Sequence, residues 1–519
     1  MHETLLGEAN RERLSALQSE IKQKNETSLQ DVSSKLLDAV ATEAARDAAL
    51  ELFDRLNVLL VTQASIQEDQ PALSTQNEEI LHVRGLVRPV AEKLLKLPMD
   101  SPGNTAQTVD YTARSLAAEV GLALLVLISL LCSSSSEPFT LDDTALVYVV
   151  TYTDKDDTWT TAESSRLASR LVEISLADDK LDTFITQCLL HDTLRPLFSK
   201  SSTKLTASGR PLQISQPPNS MQPKTSLDNI SQEQEKLHAA SCFKWAVISC
   251  SRTAVGRHWP LFLPILLSLA EDHNTAVRLK GLRILGHFLD KCPPNTILSA
   301  GVDNVIQDAV SPTLLFLPST TTENESIELL YPAYRALLQV AQLDPDVKSL
   351  RRRRFLDKLL RDGIFVGHYH ASQHARIVEV LMNMTKDIIS CLGIFTAKHL
   401  QSLLQLFSTT LSDPFALAYP PLVCATMEAL NETLVNCWPR ISSPGHADQV
   451  LHMISLCWLN LKSSQLSTED IEQVSTHLIH TSTILQSLWN REGSAPPGQL
   501  AAVLQKEPRL VELLPNILK

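Results

Sequence analysis

Arg351 to Arg354 is the strongest concentration of positive charge in the chain. With Lys348, Lys358 and Arg361 it makes one basic helix in a chain of 519 residues and formal net charge −12. A solvated outer face is one reading, with Phe355, Leu356, Leu359 and Leu360 as the core stripe beneath it. A docking patch for an acidic partner segment is another, and nuclear import is a third. On the second reading, Arg351, Arg352, Arg353, Arg354 and Lys358 are the candidate partner-binding residues. His368, His370 and His374 are close enough in sequence to ligate a transition metal. No cysteine or carboxylate lies within that cluster to complete a tetrahedral set, so no metal site is expected. Asp154-Lys-Asp156-Asp157 resembles the start of a calcium loop. Trp159 stands where such a loop needs glycine and Ser165 where it needs the terminal acid, so a solvated acidic turn is expected.

The signatures of catalysis are missing. The chain has no GxGxxG, no GxxxxGK[ST], no HExxH and no GxSxG. No catalytic residue and no cofactor is therefore expected, and the chain is not expected to be an enzyme. Glycine is scarce, 15 of 519 residues, where average usage is about 7%. That shortage argues against nucleotide-binding α/β folds and turn-rich β folds. An acidic chain repels polyphosphate, so no nucleic-acid partner is expected.

The elements that carry these residues are helices. Leu29, Val32, Leu36 and Val40 make one helical stripe. Leu400, Leu403, Leu404, Phe407 and Leu411 make a second, and Ile471, Val474, Leu478, Leu485 and Leu488 a third. Leu146 to Tyr152 is the one tempting strand; with nothing to pair with, it is read as helix. The most apolar run, Leu116 to Leu131, is interrupted by Glu119, leaving about twelve apolar residues where a membrane span needs about 20. It is read as a fully buried helix, and no membrane association is expected. The nine cysteines form no CxxC pair and lie mostly in apolar runs, which reads as reduced intracellular cysteine. The opening MHETLLGEANRERL has no basic region followed by an apolar core, so no signal peptide is expected. Trp438 and Trp458 are assigned to core packing.

Helix pairs open near Trp259, Asp303, Lys348, Thr396 and His446, at a spacing of about 44–50 residues, compatible with HEAT or armadillo units. The clearest runs from Trp259 to Cys292. Its first helix carries Pro264 where a kink is common. Its second opens at Val277-Arg278, with Leu279, Leu282, Leu285 and Leu289 inward and Lys280, Arg283 and His287 outward. Such a unit cannot bury its apolar face alone, so the units must stack. The expected fold is an all-α, HEAT/armadillo-like α-solenoid of antiparallel helix pairs, with Leu282, Leu285, Leu403, Phe407 and Leu478 buried. Residues 199–235 are rich in Ser, Pro and Gln and lack aromatics, which predicts disorder. Removing them from the stretch between Asp178 and Trp259 leaves about one repeat length. That reads as an insertion within a repeat; a hinge between domains is the alternative. The predicted organisation is an irregular helical region over 1–198, the insertion over 199–235 and a repeat region over 236–519. Residues 1–24 are polar and read as a projecting or docking helix.

Ala270 to Pro293 (AEDHNTAVRLKGLRILGHFLDKCP), Leu329 to Leu337 (LLYPAYRAL) and the Arg351–Leu360 helix together resemble the Tel-two-interacting protein two family. The resemblance runs from roughly residue 236 onward. It implies a non-enzymatic scaffold subunit of a co-chaperone assembly of the TTT type. The implied partners are Tti-one-like and Tel-two-like helical-repeat proteins and, indirectly, Hsp90 and the phosphatidylinositol-3-kinase-related kinases whose maturation the assembly supports. The implied location is the cytoplasm, with a nuclear pool also compatible. Another HEAT-repeat adaptor, for nuclear transport or as a phosphatase scaffold, is the alternative reading.

Overall fold

A computed structural model of the chain describes residues 5–21, 29–66, 81–97, 111–133, 139–199, 226–441, 445–492 and 504–514. Among these residues there are helices and turns and no strand, so the fold is all-α and of the helical-repeat solenoid class. The chain forms two compact units, Met1–Lys291 and Cys292–Lys519.

The first unit contains α1 (Glu8–Ile21), α2 (Leu29–Asp38), α3 (Thr42–Ile66), α4 (Val87–Val90), α5 (Thr112–Cys132), α6 (Asp143–Val150) and α7 (Ala162–Ser175). After these come α8 (Asp178–Thr183), α9 (Ser226–Ser249), α10 (Arg252–Ala270) and α11 (Thr275–Lys291). Helix α4 runs on as a wider π turn, Ala91–Leu95, and α8 as Phe184–Leu194. Helix α5 is the apolar run of the sequence, extended at its N-terminal end. By length and composition it could cross a membrane, yet 83% of its apolar window is buried within the protein. Glu119 sits in the middle of α5, buried. It accepts hydrogen bonds from the Gly7 backbone N–H, Asn10 Nδ2 (3.3 Å) and Thr161 Oγ1 (3.0 Å). A buried carboxylate needs such donors, and here they come from α1 and from the cap of α7. Helix α1 is therefore docked rather than projecting; Leu5 and Leu6, just before it, are in the core.

Leu146 to Val150 is helical, as the sequence reading preferred. The first helix of the clearest unit opens earlier than Trp259, at Arg252, with Ser251 as N-cap: its side-chain oxygen accepts a hydrogen bond from the Ala254 N–H (3.1 Å). It bends at His258, whose φ of −108° and ψ of 16° are non-helical. The cause is Pro260, which has no N–H to give and clashes with the preceding turn; Pro264, the expected kink, sits in regular helix. Residues 226–235 of the segment expected to be disordered belong to α9, and residues 200–225 lie outside the described residues. The predicted boundaries at 198 and 235 also differ from the division of the compact units, which falls after Lys291.

The second unit is the more regular. Its helices include α12 (Pro294–Ser299), α13 (Val302–Val310), α14 (Glu323–Gln342), α15 (Leu350–Lys358), α16 (Ala375–Leu392), α17 (Leu400–Leu411), α18 (Pro420–Asn436), α19 (Trp438–Ile441), α20 (His446–Lys462) and α21 (Thr468–Glu492), and a short helical turn, Val366–Ala371, precedes α16. First helices open at Val302, Leu350, Leu400 and His446, close to the starts read from periodicity. Second helices form a continuous layer, with α14 against α16, α16 against α18 and α18 against α21. Helix α16 shows what this requires. Ile377, Val378, Leu381, Met382, Met384, Ile388, Ile389 and Leu392 are all buried, a stripe too wide for one neighbour, because two helices flank it. Leu282 and Leu285 in the first unit and Leu403, Phe407 and Leu478 in the second are buried as expected. Trp458 is also in the core, its Nε1–H donating to the Arg509 carbonyl (2.7 Å), while Trp438 is only half-buried.

The tightest helix contact with a sequence signature is that of α10 and α11. A Cβ on Gly281 would lie 2.7 Å from the Leu269 carbonyl carbon and 2.9 Å from the Ala270 nitrogen. Backbone cannot move aside as a side chain can. Gly281→Ala is expected to destabilise the first unit by about 1–3 kcal/mol, the usual cost of overpacking. Urea unfolding followed by circular dichroism checks it, and an unchanged midpoint would show that the two helices separate freely.

Candidate partner-binding surface

Helix α15 carries the basic run. Arginines in a first turn oppose the positive end of the helix dipole, so something must hold them there. The structure supplies a separate partner to each of the first three. Arg351 forms an ion pair with Asp303, a buried residue on α13. Arg352 donates to the Asp344 carbonyl (3.1 Å). The Arg353 guanidinium lies 4.2 Å from the centroid of the Phe395 ring, a cation–π contact. Asp346 in the preceding turn accepts from the Lys348 N–H (2.9 Å). The Asp344 carboxyl is held below the usual carboxylate range, first by the Ser349 hydroxyl, with Arg351 and Arg352 adding to it.

The basic run therefore divides. Arg351, Arg352 and Arg353 are spent on the protein's own structure. Arg354 and Lys358 are exposed on the opposite face from the buried Phe355, Leu356, Leu359 and Leu360. Asp357, between them, is turned sideways onto Lys398 Nζ (2.8 Å) and His399 Nε2 (2.7 Å). Burial pushes the Asp357 carboxyl up, but these two partners outweigh it and hold it down. Together with Arg353–Phe395, these contacts fix the turn Gly393–His399 alongside α15.

The other candidate residues part company. His374 faces Glu323 (3.6 Å), His370 packs edge-on to Tyr369, and burial pushes His368 below its ordinary value. Among the described residues, no three His, Cys, Asp or Glu side chains gather in a way that could hold a metal ion.

The acidic turn is not the solvated one expected. Asp154 pairs with Lys244 Nζ (2.7 Å) from α9, and Asp157, which is buried, pairs with Lys280 from α11. Burial pushes the Asp157 carboxyl up, against the pull of Lys280. Lys280, expected to face outward, also lies 4.9 Å over the Trp159 ring. Trp159 is buried against Tyr111 (5.6 Å) and His238 (4.6 Å). Burial, with Lys280 nearby, pushes His238 down to about 4. Pattern reading missed this cluster because its partners are far apart in sequence. The signal available was the dense Asp154–Trp159 turn with a tryptophan at its centre.

Residues 145–418 match the Tti2 family, the family that the sequence resembles. The match begins well before residue 236, taking in the Asp154–Trp159 turn, and ends in the turn before α18. No curated protein matches the chain. Among solved structures, an engineered protein is similar over 94% of this chain and 97% of its own at 14% identity, with a TM-score of 0.32, too low to carry an argument.

Two outcomes are expected. Arg351→Ala strands the buried Asp303 carboxylate and should cost about 1–3 kcal/mol, while Arg354→Ala should stay within about 0.5 kcal/mol; thermal melts of both variants compare them. For His238, the folded state resists protonation that the unfolded chain accepts from about pH 6.5 downward. The unfolded chain then binds more protons, so stability falls as pH falls from about 6.5 to about 4, by about 2–3 kcal/mol at most. His238→Leu should flatten the pH dependence of the melting temperature in that window, and an unaltered slope would refute the assignment.

Proposed function

The chain belongs to the Tti2 family, and from that premise we propose that it is a non-enzymatic scaffold subunit of a TTT-type co-chaperone assembly. In this reading it joins Tti-one-like and Tel-two-like helical-repeat proteins. With Hsp90, the assembly supports the stability and maturation of phosphatidylinositol-3-kinase-related kinases, in the cytoplasm and with a nuclear pool. The observation that carries the proposal is the family match over residues 145–418, which spans helices from both units. The helical-repeat fold supports it, because stacked repeats offer long surfaces on which affinity is spread over several units. Gathered charged residues supply structure rather than chemistry: Asp157, Asp303 and Asp357 each hold a cation from a neighbouring element.

The test is rapid depletion of the protein in cells. Kinase protein levels should fall several-fold over the kinases' own turnover time with their messenger RNA unchanged. Re-expression of the chain should restore them. Kinase levels that stay constant after depletion would contradict the proposal.

A further inference from the structure

The second unit displays apolar side chains beside the unspent cations. Val347 and Leu350 are 51% and 53% exposed, and Ile394 is 72% exposed. On α15, Leu350, Arg353, Arg354 and Asp357 recur at i, i+3, i+4 and i+7 and so share one face. Arg353 and Asp357 reach from that face to Phe395 and to Lys398 and His399. The turn that carries Ile394, next to Phe395, thereby lies alongside the face that carries Leu350, pinned at three points.

We propose that Val347, Leu350 and Ile394, rimmed by Arg354 and Lys358, form a docking site for an amphipathic helix with acidic flanks, contributed by a large helical-repeat partner. The proposal rests on the scaffold reading above. Charge names the occupant's sign. In a chain of net charge −12, Asp303, Asp344 and Asp357 already have partners, and Lys358 shares Asp362 with Arg361, which leaves the rim of Arg354 and Lys358 with an excess of positive charge. The apolar stripe names its form, since a helix laid in a groove offers aliphatic anchors at matching spacing with acids alongside. A nucleic acid would meet the cations but leave Ile394 and Leu350 in water. The site is also preformed, so little ordering cost is added on binding. The apolar centre sets the lifetime of the complex and the cationic rim its rate of formation.

The experiment measures binding of the purified large helical-repeat partner to the full-length chain by biolayer interferometry at two salt concentrations. Leu350→Ser with Ile394→Ser is expected to weaken binding by about tenfold, chiefly through faster dissociation. Arg354→Gln with Lys358→Gln is expected to slow association several-fold at low salt and to flatten the salt dependence. Melting temperatures confirm folding. A photo-crosslinking residue in place of Ile394 gives a second readout and should capture an acidic amphipathic segment of the partner. Folded variants that bind within about twofold of wild type overturn the docking site and leave the scaffold reading standing, as does a crosslink to a basic or non-helical segment. Wild-type chain that binds no such partner removes the scaffold reading and the docking site with it. Loss of duplex DNA binding in the glutamine pair, with partner binding intact, assigns the patch to nucleic acid and overturns the proposal.

Discussion

A helix whose apolar stripe extends around both flanks cannot be covered by its own hairpin partner. It needs a neighbour on each side, and those neighbours need neighbours in turn. Helix α16 is the clearest case, with Ile377, Leu381 and Ile388 buried alongside Val378, Met382 and Ile389. At about 25 cal/mol per Å² of apolar surface removed from water, no surface polar interaction competes with that demand. The regular order of α14, α16, α18 and α21 follows from it. So does the separation of roles on α15, one face of which is committed to the core and the other left for solvent or a partner.

Within this packing, charge acts as a key rather than as glue. A buried carboxylate without a partner is costly, while a paired one is close to neutral in net energy. Glu119 on α5 therefore fixes where α1 and the cap of α7 sit. Asp157 fixes the turn before α7 against α11, and Asp303 fixes the first turn of α15. The cysteines follow the same logic in neutral form. Seven of the nine are buried, and burial pushes Cys457 up to about 12, so it packs as a small apolar residue.

Much of this was legible in the sequence because periodicity is a local property. The stripe at Leu403 and Phe407, the helix over Leu146 to Val150 and the opening of a pair at His446 each follow from residues within a few turns of one another. The fate of charged side chains was not legible in the same way. Lys280 has the spacing of an outward residue, yet it is drawn inward by Asp157, which lies in another element far back along the chain. Arg351 to Arg354 reads as one patch because the four are adjacent; three-dimensional neighbours split it, through Asp303, the Asp344 carbonyl and Phe395. The apolar part of the surface was missed because Ile394 sits in a turn with no stripe to announce it.

The central claim is that the exposed face of α15 and the adjoining turn are a partner-binding surface, distinct from the arginines that hold the helix in place. Hydrogen–deuterium exchange of the full-length chain, alone and in complex with the large helical-repeat partner proposed for it, tests this most directly. The account predicts that amides over residues 347–358 and 393–399 gain protection in the complex. Protection confined to other helices, with these two segments exchanging as they do in the free chain, would contradict it.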